Sequence, residues 1–199
     1  KLPSRRALLV ALGCTPLAGC ISTGSSFQAQ AGAEALAADP VLHVVTTRKL
    51  VRDGSLPPFY DSSRALLTYA RASLRAPDGS VFGQLNSLVN TPFAVERVKA
   101  VSGPASAMFA ESLRGRDTLM FVHGYNQTFE AASRDIAQLS DGIRFKGNTA
   151  LFTWPSKGGL LDYGYDRESA LLARDPFSEV LSALLLDEFG ARLHLVAHS

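Results

Sequence analysis

The sequence predicts an α/β protein in which a parallel, doubly wound sheet follows antiparallel strands near the N-terminus. Three short apolar runs, at 118–122, 149–154 and 192–197, are typical of buried strands. Helical patterns separate these runs, and strand–helix–strand units of this spacing form right-handed crossovers on a parallel sheet. With 199 residues, 46% of them hydrophobic, the chain can bury a sizeable core.

Three strands are expected before the parallel part of the sheet. The β-branched segment 41–47 predicts the first strand. Segment 66–75 predicts the second, ended by a Pro-Asp-Gly turn, and the alternating segment 94–101 predicts the third. The intervening segments 55–63 and 90–92 are expected to be loops.

Three helical regions are predicted. The first, 104–113, opens with Pro, and the second, 128–143, has apolar residues spaced three and four apart. The third, 166–189, is expected in two pieces, with Asp175 as an N-cap and Pro176 at the first helical position. The side chains expected to face the core are Met108, Phe109 and Leu113 in the first region, Phe129, Ala132, Ile136, Leu139 and Ile143 in the second, and Phe177, Val180, Leu181, Leu184 and Leu185 in the third.

Residues 1–19 have the layout of an export signal, with basic residues followed by a short apolar stretch and small residues. The stretch is shorter than the roughly 20 residues that span a bilayer. Leu17-Ala18-Gly19-Cys20 resembles the lipobox of bacterial lipoproteins, which implies that Cys20 becomes the lipidated N-terminus. The alternative is a buried N-terminal helix. The Ser-Arg-Arg start also resembles a twin-arginine signal, so the export route stays open.

The small, polar segment 20–40 predicts a flexible tether ahead of a folded domain at 41–199. That domain divides into N-terminal strands over 41–117 and core βαβ units over 118–199. The lipobox resemblance implies a cell-envelope location on the periplasmic face, with Cys20 as the membrane anchor. The absence of an Asp retention signal after Cys20 favours the outer membrane.

The charge balance argues against a nucleic-acid-binding protein, and the cysteines argue against a protein stabilised by disulfides or zinc. Three of the 20 basic residues, Lys1, Arg5 and Arg6, lie in the signal, which leaves 17 against 18 acidic residues. No basic run remains that would suggest a nucleic-acid partner. Cys14 would leave with the signal and Cys20 would be lipidated, so neither thiol remains for a disulfide or zinc site. We expect no metal and no cofactor.

Two predicted strands end in residues that can carry chemistry. His123-Gly124-Tyr125-Asn126 follows the first parallel strand, and His198-Ser199 follows the third. A serine nucleophile in such a fold sits on a sharp strand-to-helix turn, flanked by small residues, here Ala197. For Ser199 alone, the favoured role is an N-cap that opens the next helix.

The two strand ends together predict an oxyanion hole. One backbone N–H comes from the residue after the nucleophile and one from the loop after an earlier strand. Gly124 allows that loop to approach closely, and the N–H of Tyr125 is the candidate donor. His123 is expected to hold the loop rather than to act as the base, because the base follows the nucleophile in this arrangement.

Four segments, FVHGYNQTFEAA, LFTWPS, YGYDRESA and LHLVAHS, together resemble a bacterial branch of the α/β-hydrolase superfamily whose function is unknown. The resemblance covers about 118–199 and implies an α/β-hydrolase fold. It implies Ser199 as the nucleophile and Tyr125 as the oxyanion donor. Trp154, Tyr163 and Asp166 would lie near the pocket, or else serve in packing and loop capping. No position here matches the catalytic acid and histidine.

The resulting hypothesis is a serine hydrolase, esterase- or lipase-like, that acts on a small-molecule ester or lipid through an acyl-enzyme at Ser199. The alternative is a non-catalytic envelope lipoprotein that uses the hydrolase fold for binding. The chain starts with Lys and ends on Ser199 directly after an apolar run. We therefore expect a fragment truncated at the nucleophile, and expect this piece by itself to be inactive.

Overall fold

A computed structural model describes residues 40–76, 93–157, 159–186 and 191–198. The predicted signal at 1–19, the lipidation site Cys20, the tether up to residue 39, the Pro-Asp-Gly turn, the 90–92 loop and Ser199 lie outside these ranges. Within them, no helix is long and apolar enough to cross a membrane.

A six-stranded mixed sheet forms the centre of the fold. Its spatial order is β3-β2-β1-β5-β4-β6. The first three strands pair antiparallel, and β1, β5, β4 and β6 run parallel. The strands are β1 (Val41–Leu50), β2 (Tyr60–Arg75), β3 (Ala94–Val101), β4 (Thr118–Val122), β5 (Asn148–Thr153) and β6 (Leu193–Ala197). The predicted parallel sheet with antiparallel N-terminal strands is confirmed.

Within the described ranges, four α-helices and one 3₁₀ turn accompany the sheet. They are α1 (Ala105–Leu113), α2 (Phe129–Gly142), the 3₁₀ turn (Leu160–Asp162), α3 (Tyr163–Leu172) and α4 (Arg174–Leu186). The start of α2 is fixed by Thr128, whose hydroxyl accepts a hydrogen bond from the Ala131 N–H at 3.1 Å. This bond satisfies one of the amides that a helix N-terminus leaves unpaired.

The sheet carries a hydrophobic cluster on each face. Alternate residues of a strand point to opposite faces, so Phe121 packs with α2 while Met120 packs with α1 and α4. The chain passes from β4 to β5 on one side of β4 and then to β6 on the other. Parallel sheets place their ligand sites beyond the carboxyl ends of the strands at such a reversal. The fold therefore favours a ligand site at the carboxyl ends of β4 and β6.

Several details differ from the prediction. Strand β2 begins at Tyr60, inside the expected 55–63 loop, because this stretch pairs with the end of β1. Asp175 is not an N-cap, since α4 already begins at Arg174 and the Phe177 N–H donates to the Ala173 carbonyl at 3.0 Å. Ile143 and Leu185 were expected in the core but are 56% and 76% exposed. Ile143 is the C-cap of α2, where the backbone leaves the helix.

Candidate active site

The ends of three parallel strands meet at the reversal point of the sheet. Val122 pairs with Ala197 on one side and with Phe152 on the other. The His198 N–H donates to the Val122 carbonyl at 3.0 Å, which continues the β4–β6 ladder by one residue. The segments that follow β4 and β6, predicted to act together, are therefore neighbours in the fold. Ser199 itself is outside the described residues, so its side chain is not placed.

A cavity of about 480 Å³ opens where these strands end. Its volume falls in the range of small-molecule sites, roughly 300–1,000 Å³. Most of its walls are apolar or aromatic. The lining residues are Val122, His123, Gly124, Tyr125, Phe152, Trp154, Tyr163, Asp166, Arg167, Ala170, Leu171, Ala173, Arg174, Phe177 and His198. All the predicted site residues within the described ranges lie here, except Asn126.

His123 fastens the end of β4 to the end of β5. Its Nδ1 lies 2.8 Å from the Gly124 carbonyl, which can only accept, so Nδ1 carries the proton. Its Nε2 then accepts from the Trp154 N–H at 3.0 Å. The Trp154 indole N–H donates to the His123 carbonyl at 3.0 Å, and the two rings stack with centroids 4.8 Å apart.

Burial lowers the pKa of His123 to about 3, and the nearby Arg48 charge acts in the same direction. The imidazole is therefore neutral near pH 7, with both ring nitrogens engaged in hydrogen bonds to the backbone. A ring held in this way orients the loop after β4 and has no free nitrogen with which to take a proton from a nucleophile.

Asp166 is buried in the first turn of α3 and connects the loop after β4 to the loop after β5. Its Oδ2 accepts from the Asn126 N–H at 3.2 Å and from the Ser156 hydroxyl. Its Oδ1 accepts from the Lys157 N–H at 2.9 Å. Asn126 has a φ of 59°, a left-handed conformation that Asn tolerates better than most residues. Asn126 thus shapes the turn, and its side chain does not line the cavity.

Arg48, near the end of β1, is a site residue that the sequence reasoning missed. It is only 2% exposed. Its Nε donates to Thr153 Oγ1 at 2.9 Å, and its Nη2 donates to the Gln127 carbonyl at 2.6 Å. Its Nη1 donates to the carbonyls of Ser156 at 3.2 Å and Asp61 at 3.4 Å. One guanidinium thus binds the segments that follow β4 and β5.

Burial lowers the pKa of Arg48 to about 10, which leaves the guanidinium charged at neutral pH. A buried cation stays stable only when hydrogen bonds replace its hydration. The sequence signal for this role was faint, one of two adjacent basic residues, Arg48 and Lys49, directly after a β-branched run. His198, which also lines the cavity, was named only together with Ser199 at the end of the predicted strand, without a role of its own.

Two tyrosines form one side of the cavity. The Tyr125 hydroxyl donates to the Gly159 carbonyl at 2.8 Å, and the Tyr125 ring meets the Tyr163 ring edge-on with centroids 5.4 Å apart. Tyr163 remains 60% exposed. Gly124 is buried between the two loops. Tyr125 is therefore held by its side chain, which restricts the orientation of its backbone amide.

The part of the chain that the structure describes contains no group of three His, Cys, Asp or Glu side chains suited to a metal ion. The buried side chains of Arg48, His123 and Asp166 at this end of the sheet are instead engaged with loop backbone.

Comparison with known proteins gives one match. Residues 105–199 match the model of a family described as "Alpha/beta hydrolase of unknown function (DUF900)". The matched segment runs from the start of α1 through β6 and includes every residue that lines the cavity. No curated protein and no solved structure matches the chain. The match confirms the resemblance to an α/β-hydrolase branch of unknown function, and with the mixed sheet it assigns the chain the α/β-hydrolase fold.

Proposed function

We propose that the protein is a serine hydrolase, esterase- or lipase-like, with Ser199 as its nucleophile. The observation that carries the proposal is the convergence of the β4 and β6 ends on one apolar cavity at the reversal point of the sheet. Active sites of doubly wound folds lie at this place. Ser199 follows β6 after one intervening residue, where a nucleophile turn belongs in an α/β hydrolase.

In the proposed reaction, Ser199 Oγ attacks the ester carbonyl carbon while a general base takes the hydroxyl proton. Collapse of the tetrahedral intermediate breaks the ester C–O bond, and the alcohol leaves with that proton. Water then hydrolyses the acyl-enzyme and releases the carboxylic acid. The backbone N–H of Tyr125 would donate to the oxyanion, a contribution of roughly 3 kcal/mol to the transition state. Because both ring nitrogens of His123 are engaged with the backbone, the proposed base is a residue other than His123.

The test is covalent labelling of the full-length protein with a fluorophosphonate probe, which reacts with activated serines. We expect strong labelling of the unmodified protein and none of Ser199→Ala. Ser178→Ala, at an exposed position on α4, is the matched control and should label fully. Equal labelling of Ser199→Ala and the control would contradict the proposal.

One observation favours the alternative of a binding protein that uses the hydrolase fold. Two titratable side chains that line the cavity, those of His123 and Asp166, are both engaged in hydrogen bonds to loop backbone. A binding protein needs this rigid cavity and no proton transfer. The alternative predicts that a cavity ligand binds Ser199→Ala as tightly as the unmodified protein while neither turns over any ester.

We also propose that the mature protein is anchored in the cell envelope through a lipid on Cys20. The support is the lipobox-like Leu17-Ala18-Gly19-Cys20 after a basic and apolar leader. Cells fed labelled palmitate should incorporate label into the protein, and Cys20→Ser should abolish incorporation. Cys14→Ser is the matched control and should leave incorporation unchanged, so loss of label in both would overturn the assignment.

A further inference from the structure

Two arginines lie at the mouth of the cavity. Arg167 is on α3 and Arg174 begins α4, and both are exposed while also lining the cavity. Ala173 alone separates the two helices, and hydrogen bonds continue through it from Ser169 to Phe177. Positions 167, 171 and 174 therefore share a helix face, because residues three and four apart are neighbours on a helix surface.

Among the described residues, neither arginine has an anionic partner. Three other surface arginines, Arg64, Arg75 and Arg114, each pair with a glutamate at 2.5–2.9 Å. Within the described ranges, Arg167 and Arg174 make no ion pair and no hydrogen bond.

The carboxylates nearest in sequence to Arg167 are occupied by other groups. Asp166 accepts hydrogen bonds from two loops, and Glu168 pairs with Arg64. Asp162 contacts Lys157. Within the described ranges, the mouth of the cavity therefore carries two arginines that form no ion pair.

The interior behind the arginines is apolar. The rings of Phe152 and Phe177 pack with centroids 4.7 Å apart, and Trp154 stacks on His123. Leu171, between the two arginines on the shared face, is 48% exposed at the mouth. An apolar interior with a cationic mouth is complementary to a molecule that has a hydrocarbon part and an anionic end.

We propose that the cavity takes acyl esters whose alcohol carries a phosphate or carboxylate, with Arg167 and Arg174 binding that anion and the apolar interior holding the acyl chain. This inference rests on the proposed hydrolase function and names its substrate class. Arginine suits the role because its planar guanidinium matches the geometry of both anions.

Turnover is tested with octanoyl glycerol and octanoyl glycerol phosphate, which share one acyl chain and differ by the anion. For Arg167→Gln/Arg174→Gln we expect KM for the phosphate ester to rise about tenfold, in line with two exposed ion pairs. KM for the neutral ester should change less than about twofold. The matched control, Arg97→Gln/Lys99→Gln, removes two exposed cations from β3 at the opposite edge of the sheet and should change neither KM.

Binding is measured separately in Ser199→Ala by calorimetry with octyl phosphate and octanol, so that turnover plays no part. We expect octyl phosphate to bind about tenfold more tightly, and this preference to shrink in 0.5 M salt, because exposed charges are screened. Vesicles of phosphatidylglycerol against phosphatidylcholine then separate a lipid headgroup from a soluble ester as the source of the anion. Binding to the anionic vesicles identifies a lipid, and binding to octyl phosphate alone identifies a soluble ester.

The two proposals fail in different ways. If neither ester is hydrolysed but octyl phosphate is preferred and the arginine variant loses that preference, the hydrolase proposal fails and the anion site stands. If both esters are hydrolysed with equal KM and the arginine variant behaves like its control, the anion site is overturned and the hydrolase proposal stands.

Discussion

Arg48 and Asp166 are both buried at the site, and neither forms an ion pair within the ranges that the structure covers. Ser156 connects them, because its carbonyl accepts from Arg48 and its hydroxyl donates to Asp166. Removing one member of this network should lower the free energy of unfolding by more than the loss of a single hydrogen bond, because the remaining partners stay buried without hydration.

Replacing Arg48 should be strongly destabilising. Arg48→Met fills similar space but leaves the Gln127 and Ser156 carbonyls without their donors. We expect the free energy of unfolding, measured by urea titration, to fall by about 3 kcal/mol. Arg97→Met, at an exposed position on β3, should cost less than about 0.5 kcal/mol. Equal losses in the two variants would show that the Arg48 hydrogen bonds contribute little.

Two histidines, the buried His123 and the half-buried His43, should make stability depend on pH. Burial lowers the pKa of His123 to about 3 and that of His43 to about 4. Both are neutral in the folded protein, whereas in the unfolded chain they take up protons below about pH 6.5. The unfolded state therefore binds more protons as pH falls, and stability decreases in that direction.

Between pH 6.5 and 5 each of these histidines should remove about 1.5 kcal/mol from the free energy of unfolding. Urea titrations at several pH values measure the slope. His123→Gln and His43→Gln should each flatten it by about half, and if His123→Gln does not fold, His43→Gln still reports its own share. A slope unchanged by His43→Gln would contradict the assignment for that residue.

Among the elements of the fold, helix α4 has adjacent side chains that differ sharply in burial. Leu184 and Leu185 are consecutive on this helix, and both belonged to its predicted apolar face. Leu184 is 2% exposed and packs beneath the sheet, whereas Leu185 is 76% exposed. Consecutive positions on a helix differ by about 100°, so only one of the two can point at the sheet.

This pair offers a matched test of the helix orientation. Leu184→Ala should lower the free energy of unfolding by about 2–5 kcal/mol, because it leaves a cavity in the core. Leu185→Ala removes the same atoms from an exposed position and should change stability by less than about 0.5 kcal/mol. Urea titration of both variants measures the difference. Similar losses would mean that α4 is rotated from the orientation described.

At the scale of the whole molecule, the order of the strands creates the site. The strands β4 and β6 are separated along the chain by β5, three α-helices and a 3₁₀ turn, yet they are hydrogen-bonded neighbours. The helices α3 and α4 lie between β5 and β6 in the chain. Their side chains line the cavity that opens at the carboxyl ends of the parallel strands.

The chain has one tryptophan, Trp154, and it lines this cavity. A neutral brominated octanol should therefore quench its fluorescence on binding, because bromine quenches indole on contact. Ala170→Phe, which adds a ring to the lining, should weaken this quenching several-fold, since it fills part of the apolar space. Ala94→Phe, on the exposed face of β3, is the control and should quench normally. Quenching that is equal in both variants would place the probe outside the cavity.

Local patterns determined much of this fold. Apolar runs, a β-branched segment and alternating residues predicted the six described strands, and apolar residues three and four apart predicted the α-helices, because burial restricts residue type whatever the topology. The order His123-Gly124 after one strand and His198-Ser199 after another predicted that two strand ends would matter, as parallel strands present their ends at one edge.

Only the tertiary structure decided which buried polar groups hold the site together. Arg48 lies 108 residues before Ser156 in the sequence, and nothing in its neighbours marks it as a partner of the segments that hold Ser156 and Asp166. The tertiary structure also decided that Leu184 is in the core while Leu185 is exposed. It likewise placed Arg167 and Arg174 together at the mouth of the cavity, where neither forms an ion pair within the described ranges. Local periodicity is fixed by neighbours three or four positions apart, whereas these features depend on contacts between segments that only folding brings together.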